Sequence, residues 1–413
     1  MSLINIIENF ENNVKVDNID LTDDYQLELL DTLSKQIYSD SKDSDEIRSL
    51  ETTLINNQAK YGLLTHTAVK IAKSKKLLSE IHEPVHLTIV FSIYKEGEKL
   101  LKKPESEKGE DSLMKKIHQI NNLTDNLNHV TWDMIVVDAG CPEKSGNIAL
   151  DILNKNYKGN NIKVIIYNDY NNLPNDFHSN IHFRKSSAVD FGMRLSIQNE
   201  KKNQIVIYMD SDLFIHAGQC GLLVEPIINK EFIASIGSGR ESDSIIVKTT
   251  KKNIQEKLFI YFTKRVLKRL NYVTDIRYRF QAYSADFLKK IFNNPAEDPQ
   301  AFDIEILLKA ELLKRKSIIN IAISSLKIDN KPEDDTYPYL VQLKSIVRMY
   351  HAYLSPNAIA HKFAYFIKSL TNEQWNVLSN NVPEGIQIKP AVHFDIYDEY
   401  TVEDFQKILE KYH

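Results

Sequence analysis

The apolar positions of this chain change their period near Pro84. Before it they recur at helical spacing. Leu27, Leu30, Leu33 and Ile37 share one face, and Thr22-Asp23-Asp24 can cap that helix. A second long helix is expected from about Ser44 to Ile81, with Leu50, Leu54, Tyr61, Leu64 and Val69 on its apolar faces, until Pro84 breaks it. After Pro84, short apolar runs alternate with amphipathic stretches. Val85–Tyr94, Met134–Asp138, Ile162–Tyr167, Gln204–Asp210, Phe232–Ile236 and Ile318–Ile323 read as strands. Asn147–Asn156, Ser187–Ser196 and Ile304–Lys314 read as the helices between them. Such alternation predicts the α/β class, with a mostly parallel sheet covered by helices on both faces.

Three regions follow from this reading: a helical module over 1–82, an α/β domain over 83–330, and a mainly helical extension over 331–413. The polar run Lys102–Asp111 reads as a surface loop. In the extension, Lys331–Pro338 reads as an acidic loop, Val341–Leu354 and Ala358–Leu370 as helices, and His393–His413 as a short strand and a terminal helix.

Composition narrows the class. The 413 residues are 42% hydrophobic, ample for a sizeable core, and the formal net charge of −4 argues against a general nucleic-acid binder. Two cysteines, Cys141 and Cys220, suggest neither a disulfide framework nor a structural zinc site. No segment approaches the roughly 20 apolar residues that span a bilayer. The start of the chain lacks a secretory signal, so a cytoplasmic protein is expected.

The chemistry concentrates at strand ends. The run Gln204-Ile-Val-Ile-Tyr-Met drives into Asp210 and Asp212. A buried parallel strand has no polar face, so carboxylates belong at its end, where ligands bind in open α/β sheets. Two acids there repel and resist desolvation unless a cation lies between them. Hard oxygen ligands favour Mg or Mn, and Mg takes one or two carboxylates plus phosphate oxygens. His216 nearby reads as a surface-loop histidine or a third ligand. The second strand closes on Asp138 at a turn with Gly140. That carboxylate can accept from a uracil or guanine N–H, or serve as a turn and cap residue. Arg184 and Lys185 precede small residues and a helix, placing them either as counter-charges to a diphosphate or on a solvated basic turn. The first strand runs into a polar turn with Tyr94 and Glu96. The segment Lys248–Arg269 interleaves basic residues with Phe259, Tyr261 and Phe262. It reads as an amphipathic helix with a solvated basic face, or as a docking face for an anionic acceptor or a membrane surface.

Taken in order, these elements resemble glycosyltransferase family 2, in the branch of dolichyl- and polyprenyl-phosphate sugar synthases. The first strand ends near Tyr94 and Glu96, with Ser92 and Lys95 where the family has Pro and Asn. The second ends Val-Val-Asp138-Ala-Gly140. Lys185-Ser-Ser-Ala188-Val189 with Gly192-Met193, Met209-Asp210-Ser-Asp212-Leu213, and Gly237-Ser-Gly-Arg240 follow. Thr274-Asp275 with Phe280-Gln-Ala282-Tyr283-Ser284, and Phe302-Asp303-Ile-Glu305, complete the set. Arg279, Gln281 and Phe214 depart from the pattern, standing where the family has Gly, a basic residue and often Gln. The resemblance spans about residues 86–326 and leaves both terminal regions outside it.

The resemblance implies a GT-A fold, a nucleotide-diphosphate sugar donor (UDP- or GDP-sugar), a divalent metal and inversion at the anomeric carbon. Asp212 would hold the metal. Asp210 would share it or steer the ribose, with Tyr94, Glu96, Asp138, Arg184 and Lys185 around the donor. Asp303 would be the base for a hydroxyl acceptor, or a helix-terminal residue in the plainer reading. Arg240 would support the charge of the diphosphate, or grip an anionic acceptor through its guanidinium fork. The acceptor is a small molecule, a glycan or a lipid phosphate. The terminal helices are candidates for homo-oligomer or peripheral membrane contacts. A nucleotidyltransferase and an inactive sugar-nucleotide-binding scaffold remain the competing readings.

Overall fold

In the computed structural model of the chain, the described residues are all but 1, 15, 17–18, 168–180, 200, 230, 248–249, 294–300, 327–336, 396–399 and 413. Side chains of 181–183 and 337–338 are also outside the description. Nine strands are described: β1 (Val85–Ile93), β2 (Val130–Asp138), β3 (Ile162–Ile166), β4 (Gln204–Met209), β5 (Ala234–Ser238), β6 (Ile245–Ile246), β7 (Phe280–Ser284), β8 (Ile318–Ala322) and β9 (Ser324–Ser325). The main sheet has seven strands in the order β3-β2-β1-β4-β7-β5-β8, and β6 pairs with β9 beside it. All neighbouring pairs in the main sheet are parallel except the two made by β7. The expected α/β class and mostly parallel sheet are therefore present.

Register decides where chemistry can collect. Ile93 pairs with Asp138 and Val90 with Tyr208, so β1, β2 and β4 reach one edge together. Strand β7 runs the other way and pairs Phe280 with Met209, which starts it at that same edge, with Arg279 beside the end of β4. Every residue of β1 and β4 is buried, which is why both read as unbroken apolar runs. Strand β7 was not expected. Gln281 interrupts its apolar pattern, yet it is buried and satisfied internally: its side chain donates to the Tyr278 carbonyl at 2.9 Å and accepts from the Tyr283 hydroxyl.

The helix Ile181–Ser196 packs on β1 and β2 so closely that a Cβ on Gly192 would lie 2.7 Å from Val90 and 2.9 Å from Val137. Glycine there is a packing requirement, and the close approach brings Arg184 and Lys185 toward the strand ends.

Among the described residues before Val85 there are only helices. Asp23 caps the helix Asp24–Asp40 by accepting from the Gln26 N–H. The single helix expected over Ser44–Ile81 is instead two, Ser44–Asn56 and Leu63–Ser79, joined by a 3-10 turn at Gln58–Lys60. Asn57 closes the first and Gly62 opens the second, the breaker signals that the periodic reading overrode. The fold-back lets buried Glu51 accept from Lys70 at 2.7 Å and Lys73 at 2.6 Å. Burial raises the Glu51 carboxyl, but the two lysines outweigh it and its pKa lies below the usual value. Lys70 also reaches the Ala322 carbonyl at 3.3 Å, and the Thr67 and Ser324 hydroxyls meet at 2.6 Å. Leu213, Ile245 and Leu326 join the apolar core of these N-terminal helices. The module thus grips the β8–β9 end and the loop after β4. Glu51→Ala leaves the Lys70 ammonium buried without its partner. It is expected to cost about 3–5 kcal/mol, read as a lowered denaturant midpoint.

The expected C-terminal helices appear as Tyr337–Tyr353 and Ala358–Ser369, followed by Asn372–Asn380, Glu384–Ile388 and Val402–Tyr412. The acidic loop expected over Lys331–Pro338 lies mostly outside the described residues. No strand occurs beyond His393 among the described residues. The C-terminal helices share one apolar core with the sheet-covering helices. At its centre is the helix Thr250–Val266, whose Phe262 ring lies 4.8 Å from Phe405, 5.9 Å from Phe363 and 6.1 Å from Trp375. For three of its basic residues this corrects the reading of a solvated face. Lys257, Lys264 and Arg265 are buried, and they donate to backbone carbonyls of Gln387, Ala391 and Asp395 respectively. These positive charges hold the C-terminal chain in place and face neither solvent nor an external surface.

Candidate functional site

The common strand edge gathers residues far apart in sequence. Glu96, just past β1, accepts from Lys185 at 2.5 Å and from the Ser211 hydroxyl. One carboxylate therefore ties the turn after β1, the helix Ile181–Ser196 and the serine between Asp210 and Asp212. The Glu96 N–H donates to Ser145 at 3.2 Å, and the Lys95 N–H reaches Cys141 Sγ at 3.1 Å. Lys95 adopts a positive φ of 55° to make this turn. The Arg184 guanidinium lies 5.7 Å from the ring of half-buried Tyr94.

Asp138 is fully committed locally. One of its oxygens accepts from the Cys141 N–H at 2.6 Å, the other from the Gly146 N–H at 2.6 Å. A Cβ on Gly146 would stand 2.7 Å from that carboxylate. The turn and cap alternative therefore describes its contacts: the residue shapes the loop after β2 and the start of the helix Ser145–Asn156. Its side chain lies at the expected strand end, but buried.

Asp210 is the accessible member of the acidic pair, with its side chain 42% exposed, and Arg279 stands 3.4 Å away. Asp212 is more enclosed. Burial, then the like charge of Asp210, pushes its carboxyl up to about 6, with Lys116 acting in the opposite sense. Its Oδ1 accepts from the Phe214 N–H at 3.2 Å, and no other hydrogen bond reaches the side chain among the described residues. An accessible carboxylate beside an under-satisfied one suits a hard divalent cation. Among the described residues no cluster of three or more His, Cys, Asp or Glu could hold a metal. A cation at the pair would draw its remaining oxygens from a ligand or water, as Mg and Mn do. His216 is neither a surface histidine nor a third ligand. It is buried, its Nδ1 accepts from the Gly218 N–H at 3.0 Å, and burial lowers its pKa to about 3.

Arg279 is the residue that the sequence reading passed over. It stands where the resembled family has Gly, just before β7, the main-sheet strand that was not expected. Its guanidinium pairs with Asp210 and also faces Asp303 and Tyr208. Asp303 lies in the first turn of the helix Phe302–Leu313 and is buried. Its Oδ1 accepts from the Ile304 N–H at 2.9 Å. Burial raises its pKa, and Arg279 offsets that only in part. Glu305, by contrast, is tied to Lys309 and to the Tyr353 hydroxyl, both at 2.7 Å. Arg240 is engaged elsewhere. It pairs with Glu256 at 2.8 Å, bonds Asn253, and lies 3.5 Å from Asp275, which also accepts from the Gly239 N–H at 2.6 Å. Its partners come from the helix Thr250–Val266 and the segment before β7, so a grip on an anionic acceptor requires exchanging them.

No protein-family model matches the chain, and no curated protein matches it. Solved structures of glucosyl-3-phosphoglycerate synthase from Mycobacterium tuberculosis are similar at low identity. The complex with phosphoglyceric acid is 14% identical with a TM-score of 0.44, covering 69% of this chain and 85% of the other. The complex with uridine diphosphate is 14% identical with a TM-score of 0.44, covering 70% and 86%. The complex with Mn2+, UDP-glucose and phosphoglyceric acid is 14% identical with a TM-score of 0.43, covering 70% and 85%. No helix among the described residues is long and apolar enough to cross a membrane.

Proposed function

We propose that the chain is a GT-A glycosyltransferase that moves a sugar from a nucleoside-diphosphate sugar to a hydroxyl or phosphate acceptor, with inversion. The observation that carries this reading is the line Lys185–Glu96–Ser211, which locks three separate motif elements around the Asp210–Asp212 pair at one sheet edge. A ligand outside the carboxyl ends of these strands meets two acids suited to a divalent cation and a cluster of cations suited to phosphate.

In this reading Asp212 and Asp210 hold Mg or Mn, which when bound offsets negative charge on the departing diphosphate. Arg184 and Lys185 supply counter-charge on the helix side. Arg279 neutralises part of the Asp210 charge and keeps the edge from being purely acidic. Tyr94 offers an aromatic face to the donor. Asp138 acts by shaping the loop against which the base would lie. Asp303 takes the proton from a hydroxyl acceptor. Its raised pKa suits that task, because a carboxylate in ordinary water is a weak base.

The test is incubation of the full chain with UDP-sugars and GDP-sugars, with and without Mn2+. Release of UDP or GDP that stops on chelation is the expected result, with a donor-dependent rise in melting temperature. Pyrophosphate release from nucleoside triphosphate and sugar phosphate would favour nucleotidyl transfer instead. Donor binding without turnover against any acceptor would favour a scaffold.

A further inference from the structure

Strand β7 lies on the far side of β4 from β1 and β2, so its first residues flank the acidic pair on the side away from Glu96, Lys185 and Asp138. Arg279 directly precedes β7, and the pairing of Phe280 with Met209 sets its guanidinium beside Asp210. The contact is loose. Among the described residues its guanidinium makes one hydrogen bond, to Asp210 at 3.4 Å, longer than the roughly 2.7–2.9 Å of a charge-assisted pair. A guanidinium is a fork of several N–H donors, so most of its capacity is uncommitted. Its side chain is 24% exposed, and that of Asp210 more so, which leaves the pair open to a ligand. Lys185 and Arg240 are held more closely, by Glu96 at 2.5 Å and by Glu256 at 2.8 Å.

The helix that carries Asp303 begins at the same place. The Phe302 ring lies 5.7 Å from that of Tyr208, two residues before Asp210. Once Asp210 shares a cation with Asp212, its charge no longer answers Arg279, and a guanidinium beside a divalent cation is repelled unless an anion joins it. The donor diphosphate has Arg184 and Lys185 on the β1 side. In an inverting transfer the acceptor approaches from the face opposite that diphosphate, and the flank left to it is bounded by Arg279 and Asp303. We propose that Arg279 is a specificity-determining residue for the acceptor, and that its fork grips a phosphate-like oxyanion on that molecule when Asp210 is engaged by a cation. This rests on the glycosyltransferase reading and narrows its acceptor to an anionic molecule. The resembled family has glycine at this position, so the preference belongs to this chain.

The experiment saturates the full chain with Mg2+ and UDP or GDP, whichever raises its melting temperature, and then titrates inorganic phosphate as the probe. Phosphate affinity is read from the further rise. Wild type, Arg279→Gln, Arg279→Lys and Arg240→Gln are compared. Wild type should respond to phosphate saturably. Arg279→Gln should bind phosphate about tenfold or more weakly, with nucleotide affinity kept within about twofold. Arg279→Lys keeps the charge but loses the fork, and should lie between the two. Wild-type phosphate affinity in Arg279→Gln, or no phosphate response in wild type, would overturn the proposal while leaving nucleotide binding and the glycosyltransferase reading intact. Equal losses of nucleotide and phosphate affinity would move Arg279 to the donor diphosphate, and loss of phosphate binding in Arg240→Gln alone would move the acceptor anion to Arg240. Either overturns it. Absence of any response to UDP or GDP in wild type would remove the glycosyltransferase reading, and this proposal with it. Failure of both Arg279 variants to fold would also overturn it, because a residue that only reads the acceptor is dispensable for folding.

Discussion

Asp212→Ala is expected to lower kcat by about a thousandfold or more, because the metal's charge stabilisation in the transition state amounts to several kcal/mol. The fold should survive. Asp212 contributes a single hydrogen bond, to the Phe214 N–H, and its charge is opposed by burial and by Asp210. Removing a carboxylate whose pKa is raised to about 6 also removes a group that disfavours the native state at neutral pH. The protein should therefore stay folded while turnover and Mn2+-dependent donor binding disappear. Asp210→Ala should behave differently. Its carboxylate is partly neutralised by Arg279, so its loss strands that guanidinium and costs stability as well as activity. Turnover in Asp212→Ala within tenfold of wild type would remove the cation from this edge altogether.

The centre of the sheet was legible because β1 and β4 are buried throughout and so announce themselves as apolar runs. Asp138 and the Asp210–Asp212 pair were placed at strand ends from pattern alone, and the parallel register puts those ends on one edge. Much of what escaped the sequence is polar or charged groups satisfied inside the protein rather than by solvent. Gln281 disguised β7 because its hydrogen bonds close within the protein. Lys257, Lys264 and Arg265 looked like a solvated basic face, since a sequence does not show backbone carbonyls arriving from 127 to 130 residues later. Arg279 left a trace, as a large cation where glycine was expected, but its meaning depended on the antiparallel strand that starts there. The role of Asp138 divides the same way. Its position followed from the run of valines, whereas the two backbone N–H groups it accepts from depend on the turn geometry.

Asp303→Asn carries the second large effect. If the acceptor is a hydroxyl, losing the base should reduce kcat by about 100- to 10,000-fold with donor affinity retained. The pH profile separates a base from a helix-terminal residue. Burial holds the Asp303 pKa above its ordinary value, so the wild-type rate should fall as pH drops through a point higher than that of an ordinary aspartate. The asparagine variant should lose that limb. Stability gives an independent check. A carboxyl whose folded pKa is raised favours the native state most at low pH. That contribution is lost as pH rises from the unfolded toward the folded pKa, so at neutral pH its charge opposes folding. The asparagine side chain is uncharged and still presents an oxygen to the Ile304 N–H, so the variant should melt at or above the wild-type temperature. A variant that melts lower and keeps its kcat would mark Asp303 as a support of the helix Phe302–Leu313. An unchanged kcat with only donor affinity reduced would shift the residue to the donor side and point to an acceptor that arrives already ionised.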